Sequence, residues 1–78
     1  MAGRIMSNLQ WHLNHTGSSW YLLDDRHYSW GSVAIVNNGS YGVFVRYDRR
    51  EPHKWITDMH DLNEAKALVQ TLVGANHV

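Results

Sequence analysis

The fold is decided by the stretch DLNEAKALVQTLVG, residues 61–74. Its first four residues have the spacing of a capping box, with an acidic N-cap at Asp61 and a glutamate three positions later. Apolar side chains then recur every three or four positions in one stripe: Leu62, Ala65, Leu68, Val69, Leu72 and Val73. Gly74 follows where a C-terminal cap belongs. We expect a helix over about residues 61–73, and because a helix this short is marginal alone in water, its stripe must pack on a sheet.

Two apolar runs, VAIV at residues 33–36 and YGVFV at residues 41–45, predict a β-hairpin. The Asn38-Gly39 pair between them favours a two-residue turn, in which both central residues take positive φ. That turn pairs Val36 with Tyr41, Ala34 with Val43 and Val33 with Phe44. One face of the hairpin then carries Ser32, Ala34, Val36, Tyr41, Val43, Val45 and Tyr47, and the other carries Val33, Ile35, Gly42, Phe44 and Arg46. Both faces are largely apolar, so a helix must cover one of them and the other is left for more chain or for a partner.

The rest of the chain supplies further short strands. Residues 9–13 alternate apolar and polar, and residues 20–23 form a second apolar run after a turn-rich stretch. Residues 54–57 indicate a last strand after a polar loop that contains Pro52. We therefore predict a single α+β domain over residues 1–78: an antiparallel meander of four or five strands, within about residues 7–57, with one C-terminal helix packed on one face.

Composition excludes several classes of protein. The 78 residues have a formal net charge of +0, which argues against a strongly basic nucleic-acid arm or an acidic tail. The absence of cysteine excludes disulfides, thiolate metal sites and cysteine nucleophiles. Residues 1–7 contain no apolar run of signal-peptide length, and the longest aliphatic stretch, residues 33–36, is far too short to span a bilayer. We expect a cytoplasmic protein that makes no membrane contact.

No motif in the sequence predicts catalysis, a metal or a cofactor. The six histidines are His12, His15, His27, His53, His60 and His77, and their spacing matches no metal-ligand pattern. Asp24 and Asp25 are adjacent in a turn and are expected to diverge, and no serine lies in a nucleophile elbow. The chain is therefore predicted to be no enzyme, with no catalytic residues, no metal ligands and no cofactor.

The candidate surface is the stretch from Arg46 to Trp55. Its basic residues, Arg46, Arg49, Arg50 and Lys54, outnumber Asp48 and Glu51 by two, and aromatic residues interleave with them. Such a loop can bind the phosphates and stack on the bases of a nucleic acid, or it can pair with acidic groups on a protein. The third alternative is a solvated loop whose charges neutralise one another. Residues 58–66 have an excess of two negative charges, so the chain is polarised, which favours a protein partner. The predicted partner-binding residues are Arg46, Tyr47, Arg49, Arg50, Lys54 and Trp55, with Trp30 and Tyr41 as aromatic neighbours.

The second half of the chain, from YGVFVRY at residues 41–47 through KWI at 54–56 to DLNEAK at 61–66, resembles the small sheet-plus-helix proteins of phages and mobile elements. That loose group includes the arm-binding domains of phage integrases, which lay a three-stranded sheet in the DNA major groove, and some small anti-CRISPR proteins. The resemblance implies a non-enzymatic inhibitor that binds a host defence complex in the host cytoplasm. The alternatives are a DNA-binding module of the integrase-arm type and a homodimer that hides the second apolar sheet face.

Overall fold

The computed structural model describes residues 9–36 and 38–76. Five strands precede one helix: β1 (Gln10–Leu13), β2 (Ser19–Leu23), β3 (Ser29–Ile35), β4 (Tyr41–Val45), β5 (Lys54–Met59) and α1 (Leu62–Asn76). The strands form one antiparallel sheet in the order β1-β2-β3-β4-β5. The predicted α+β meander with a C-terminal helix is confirmed. The expectations at residues 1–8, Asn37 and His77 lie outside the described residues.

The helix begins where its cap predicts. The Asp61 carboxylate accepts a hydrogen bond from the Glu64 backbone N–H at 2.9 Å, and the Ala65 N–H donates to the Asp61 carbonyl at 3.0 Å. The expected end at Gly74 is wrong, because the helix continues to Asn76. Among the described glycines only Gly17 and Gly39 have the positive φ that a glycine C-cap needs, so Gly74 is an ordinary helical residue.

The core lies between the helix and one face of the sheet. Seven side chains between the helix and the sheet are fully buried. The helix contributes Ala65, Val69 and Val73, and the sheet contributes Leu22, Val33, Val43 and Val45. The helix contacts β3, β4 and β5, and partly buried side chains extend this core toward β1. The side chain of Lys66 lies over the ring of Trp11, 5.4 Å from its centroid.

The predicted register of the β3–β4 hairpin is wrong by one residue. Val33 pairs with Val43, Ala34 with Gly42 and Ile35 with Tyr41. The connection from Val36 to Ser40 spans three residues and closes with the Val36 N–H donating to the Ser40 carbonyl at 2.9 Å. Gly39 has a φ of 84°, as expected for the left-handed last residue of a three-residue hairpin loop.

The shifted register also corrects the predicted faces. Val33, Val43 and Val45 lie together on the helix-covered face, whereas Ser32, Ala34 and Phe44 lie on the other. A row of residues crosses all five strands on this second face: His12, Tyr21, Ser32, Phe44 and Trp55, each paired with the next. We call these five residues the central row. No described helix covers it.

Candidate binding surface

The central row presents large side chains on the face opposite the helix. Tyr21 and Phe44 are half-buried, and Trp55 is 59% exposed, the largest exposed fraction among the large hydrophobic residues of the described chain. Ser32, between Tyr21 and Phe44, is buried although no helix lies above it. The rings of Tyr21 and Phe44 therefore shield this small residue from solvent. The central row forms an aromatic surface that is lower at Ser32 than at the rings beside it.

Local backbone features position the two rings nearest β5. A Cβ on Gly42 would lie 3.1 Å from the Phe44 ring, so the absence of a side chain lets this ring pack close to the sheet. The register shifts between β4 and β5 at Phe44, which makes a β-bulge beside Trp55. The Trp55 indole N–H then donates to the Asp58 carboxylate at 2.9 Å, fixing the orientation of an otherwise exposed ring.

Arg46 organises the basic loop, residues 46–53, that joins β4 to β5. Its Nε donates to the Ser29 carbonyl at 2.7 Å, and its Nη1 donates to the carbonyls of Arg49 and Glu51 at 3.1 and 3.3 Å. Its guanidinium also lies over the Trp30 ring, 5.9 Å from the centroid. Arg46 is therefore bound within the protein, and its contribution to a partner surface is to hold the loop in shape.

His53 ties the end of this loop to β3. Its Nε2 lies 3.2 Å from the Ser29 carbonyl and 3.1 Å from the Ser29 hydroxyl. Burial lowers the pKa of His53, and the nearby Arg46 charge lowers it further, against the opposing effect of the hydrogen bond to Ser29. The neutral imidazole is favoured, so its N–H is the donor to the carbonyl.

The remaining basic side chains of this stretch differ in the contacts that they make within the protein. Arg49 stacks over the exposed Tyr28 ring at 5.1 Å, whereas Arg50 is paired with Asp48 at 3.0 Å. Hydrogen bonds from Arg50 lower the pKa of Asp48 to about 2. Lys54 is exposed at the start of the edge strand β5. Lys54 pairs with Val45, so its register position is on the helix side of the sheet, and Arg49 is the cation of this stretch best placed to meet an acidic partner.

The structure brings some of the predicted residues together and separates others. Tyr47 is 38% exposed in the basic loop, and Trp55 borders that loop at the start of β5. Trp30 is only 9% exposed, beneath Arg46. Tyr41 lies on the helix side of the sheet and packs edge-on against Trp20 with ring centroids 6.1 Å apart. Trp30 is therefore buried under the basic loop, and Tyr41 lies on the opposite face of the sheet.

The loop between β2 and β3 is held by Asp24. Its Oδ1 accepts hydrogen bonds from the backbone N–H groups of Arg26 and Tyr28 at 2.8 and 3.0 Å, and its Oδ2 accepts one from the Trp30 indole at 2.9 Å. Burial raises the pKa of Asp24, but these hydrogen bonds outweigh it and the pKa lies below its usual range. Asp24 thereby places Tyr28 beside Arg49.

Sequence reasoning missed three aromatic residues of this surface: Tyr21, Tyr28 and Phe44. The predicted register places Phe44 on the face opposite Ser32, whereas the observed register pairs the two residues and puts them in the same row. Tyr21 lies in an unbroken apolar run, WYLL. Because residues on both faces of this strand are apolar, the run shows no alternation that would assign Tyr21 to one face. The Asp24-Asp25 turn signal was available, but it gave no indication that Tyr28 would meet Arg49.

Comparison with known protein families, curated proteins and solved structures finds no match. Within residues 9–36 and 38–76, no three histidine, aspartate or glutamate side chains form a group suited to a metal ion. The described helix is too short and too polar to cross a bilayer. The described surface consists of the central row, the Arg49–Tyr28 stack and the hydrogen-bonded basic loop.

Proposed function

We propose that this protein is a small non-enzymatic binding protein that inhibits a protein complex by occupying part of its surface. The observation that supports the proposal is the central row, an aromatic strip on a sheet face that no described helix covers. Tyr, Trp and Arg are the residue types that contribute most to protein interfaces. Here Trp55 and Tyr28 are exposed, and Arg49 stacks on Tyr28.

The charges favour an acidic partner surface. Arg49 is exposed and stacks on Tyr28, while Arg46 and Arg50 are committed to contacts within the protein. A partner with carboxylates around an apolar patch would complement both features. The concrete form of this proposal is a phage or mobile-element inhibitor of a host defence complex, as the resemblance to anti-CRISPR proteins implies.

Purified CRISPR effector complexes provide the direct test of that form. We expect binding that persists as salt is raised, because apolar contacts carry most of it, and a charge-reversed Arg49→Glu variant that binds more weakly. The matched control is Gln70→Glu with Thr71→Glu on the exposed side of α1, which should bind as the wild type does. If the protein binds none of the effector types, the anti-CRISPR form of the proposal is wrong. If the charge-reversed variant binds as tightly as the wild type, the proposed site is wrong.

DNA binding is the second candidate, because an uncovered antiparallel sheet face beside a basic loop is the geometry with which integrase arm-binding domains enter the major groove. Duplex DNA binding that weakens steeply with salt would favour this function. Sedimentation of the free chain tests the third alternative, the homodimer. A second copy that occupied the uncovered sheet face would give a stable dimer. The neutral net charge argues for the protein partner.

A further inference from the structure

β1 forms one edge of the sheet, and among the described residues no strand pairs with its outer side. Its sequence, QWHL, contains no Asp, Glu, Lys or Arg, and its pairing with β2 is regular throughout. The opposite edge, β5, is interrupted by the β-bulge and carries Lys54 and Asp58. Charged side chains and bulges hinder an edge strand from pairing with another chain. Of the two edges, β1 is the one that lacks both protections.

The backbone groups of Trp11 and Leu13 face outward from this edge. The Asn14 N–H donates to the Ser19 carbonyl at the start of β2 at 2.9 Å, so Asn14 directs its backbone toward β2. Because successive residues of an antiparallel strand bond to alternate sides, His12 also faces β2, whereas Trp11 and Leu13 direct their N–H and C=O groups away from it. These two residues can therefore bond to a further strand.

The outward residues also carry apolar side chains on the helix side of the sheet. Leu13 is 55% exposed although it pairs with Trp20, which packs against the core. Trp11 is half-buried, with the Lys66 side chain over its ring. The main contacts of α1 are with β3, β4 and β5, so the helix leaves this edge partly uncovered. An exposed leucine on an uncharged edge strand favours association with another strand.

We propose that β1 pairs antiparallel with β1 of a second copy of the chain, with Trp11 opposite Leu13 of that copy and Leu13 opposite its Trp11. Each of these two pairs exchanges two hydrogen bonds, because both residues direct their backbone groups outward. Leu13 then packs beside the Trp11 ring of the other copy, and His12 lies opposite its own counterpart on the two-fold axis of the dimer. The two five-stranded sheets become one continuous sheet.

This dimer differs from one in which a second copy covers the sheet face. Pairing at the edge leaves the central row open, and the rows of the two copies meet at His12. The dimer therefore presents the aromatic surface twice on one side. A strand of four residues makes a small interface, so the association is weak and reversible.

Sedimentation of the full chain from about 10 µM to about 1 mM tests the proposal. We expect the mass to rise from that of the monomer toward twice that value. Leu13→Pro removes an outward N–H and leaves the bonds to β2 in place, so it should keep its fold by circular dichroism and weaken the dimer at least about tenfold. Trp55→Ser, on the open face, is the control and should dimerise as the wild type does. A monomeric wild type, a dimer that Leu13→Pro leaves intact, or one that Trp55→Ser abolishes would overturn the proposal.

Oxidative cross-linking gives a readout that does not depend on the folding of Leu13→Pro. The chain contains no cysteine, so a single introduced cysteine reports on one position. His12→Cys places two thiols at the two-fold axis, where the opposite Cα atoms of a non-hydrogen-bonded pair lie about 4.5 Å apart, within the range of a disulfide. Thr71→Cys, on the exposed side of α1, is the control. We expect His12→Cys to cross-link at least about tenfold faster, because pairing holds its thiols together. Equal rates would overturn the proposed register.

Discussion

Gly31 of β3 lies directly beneath Val69 of α1, where a Cβ would overlap the Val69 Cγ1 and approach the Val73 Cγ2 to 3.6 Å. The absence of a side chain at Gly31 therefore sets how closely the helix approaches the sheet. Both valines are fully buried, so neither can move into solvent without opening the core. The packing of α1 on one sheet face depends on this contact.

Gly31→Ala should lower the free energy of unfolding by about 1–3 kcal/mol, because the added methyl group overpacks the core. Gly74→Ala is the matched control, since nothing lies within 4 Å of its Cβ position in the helix. That change should instead raise stability by up to about 1 kcal/mol through helix propensity. Urea denaturation of both variants measures these values, and equal effects would contradict the close approach at Gly31.

The helix cap gives a second prediction. Asp61→Ala removes the acceptor for the Glu64 N–H and should lower stability by about 1 kcal/mol. Asp61→Asn keeps a capping oxygen and should recover most of that loss. Thermal unfolding followed by circular dichroism compares the two, and an unchanged melting temperature in Asp61→Ala would show that the cap is unimportant.

The helix and its cap follow from the sequence because an N-cap, a glutamate and a stripe of apolar residues all indicate one structure. The hairpin register does not follow from the sequence, because the predicted and the observed register both place apolar residues on both faces of the sheet. Asn38-Gly39 suits a two-residue loop as well as a three-residue loop with Gly39 last. Tertiary packing decides: only the observed register puts Val33, Val43 and Val45 together under the helix.

The binding surface was predictable only in part for a related reason. The basic loop is visible in the sequence, and Trp55 is found exposed beside it. The internal role of Arg46 depends on the Ser29 carbonyl, which is distant in sequence and is brought close by the β3–β4 pairing. No local pattern indicates such a contact.

His53 should make the protein less stable in acid. Its pKa is lowered from 6.5 in the folded state, so the unfolded chain binds a proton at higher pH than the native state does. The stabilisation is therefore complete above pH 6.5 and is lost as pH falls through that value toward the lower native pKa. Melting temperatures between about pH 7.5 and about pH 5.5 should fall less in His53→Gln than in the wild type.

The control for this prediction is His15→Gln, because His15 is exposed in the β1–β2 loop. It should keep the wild-type dependence on pH. An identical acid response in His53→Gln and the wild type would show that burial of His53 next to Ser29 does not contribute.

The bond between Trp30 and Asp24 should stabilise the β2–β3 loop. Trp30→Phe removes the indole N–H that donates to the Asp24 carboxylate and should cost about 1.5–3 kcal/mol, since the acceptor is charged. Trp55→Phe removes the corresponding bond to Asp58 at an exposed site and should cost much less. Chemical denaturation distinguishes the two, and similar losses would contradict the difference in burial.

The most direct measurement of the central claim compares partner capture from host lysate by the wild type, by Trp55→Ser and by Gln70→Ser, each immobilised in equal amounts. Trp55 stands in the central row, whereas Gln70 is exposed on the helix, on the opposite side of the molecule. The account predicts that Trp55→Ser loses most of the protein that the wild type retains and that Gln70→Ser retains all of it. Full retention of the partner by Trp55→Ser, or its loss by Gln70→Ser, would contradict the account.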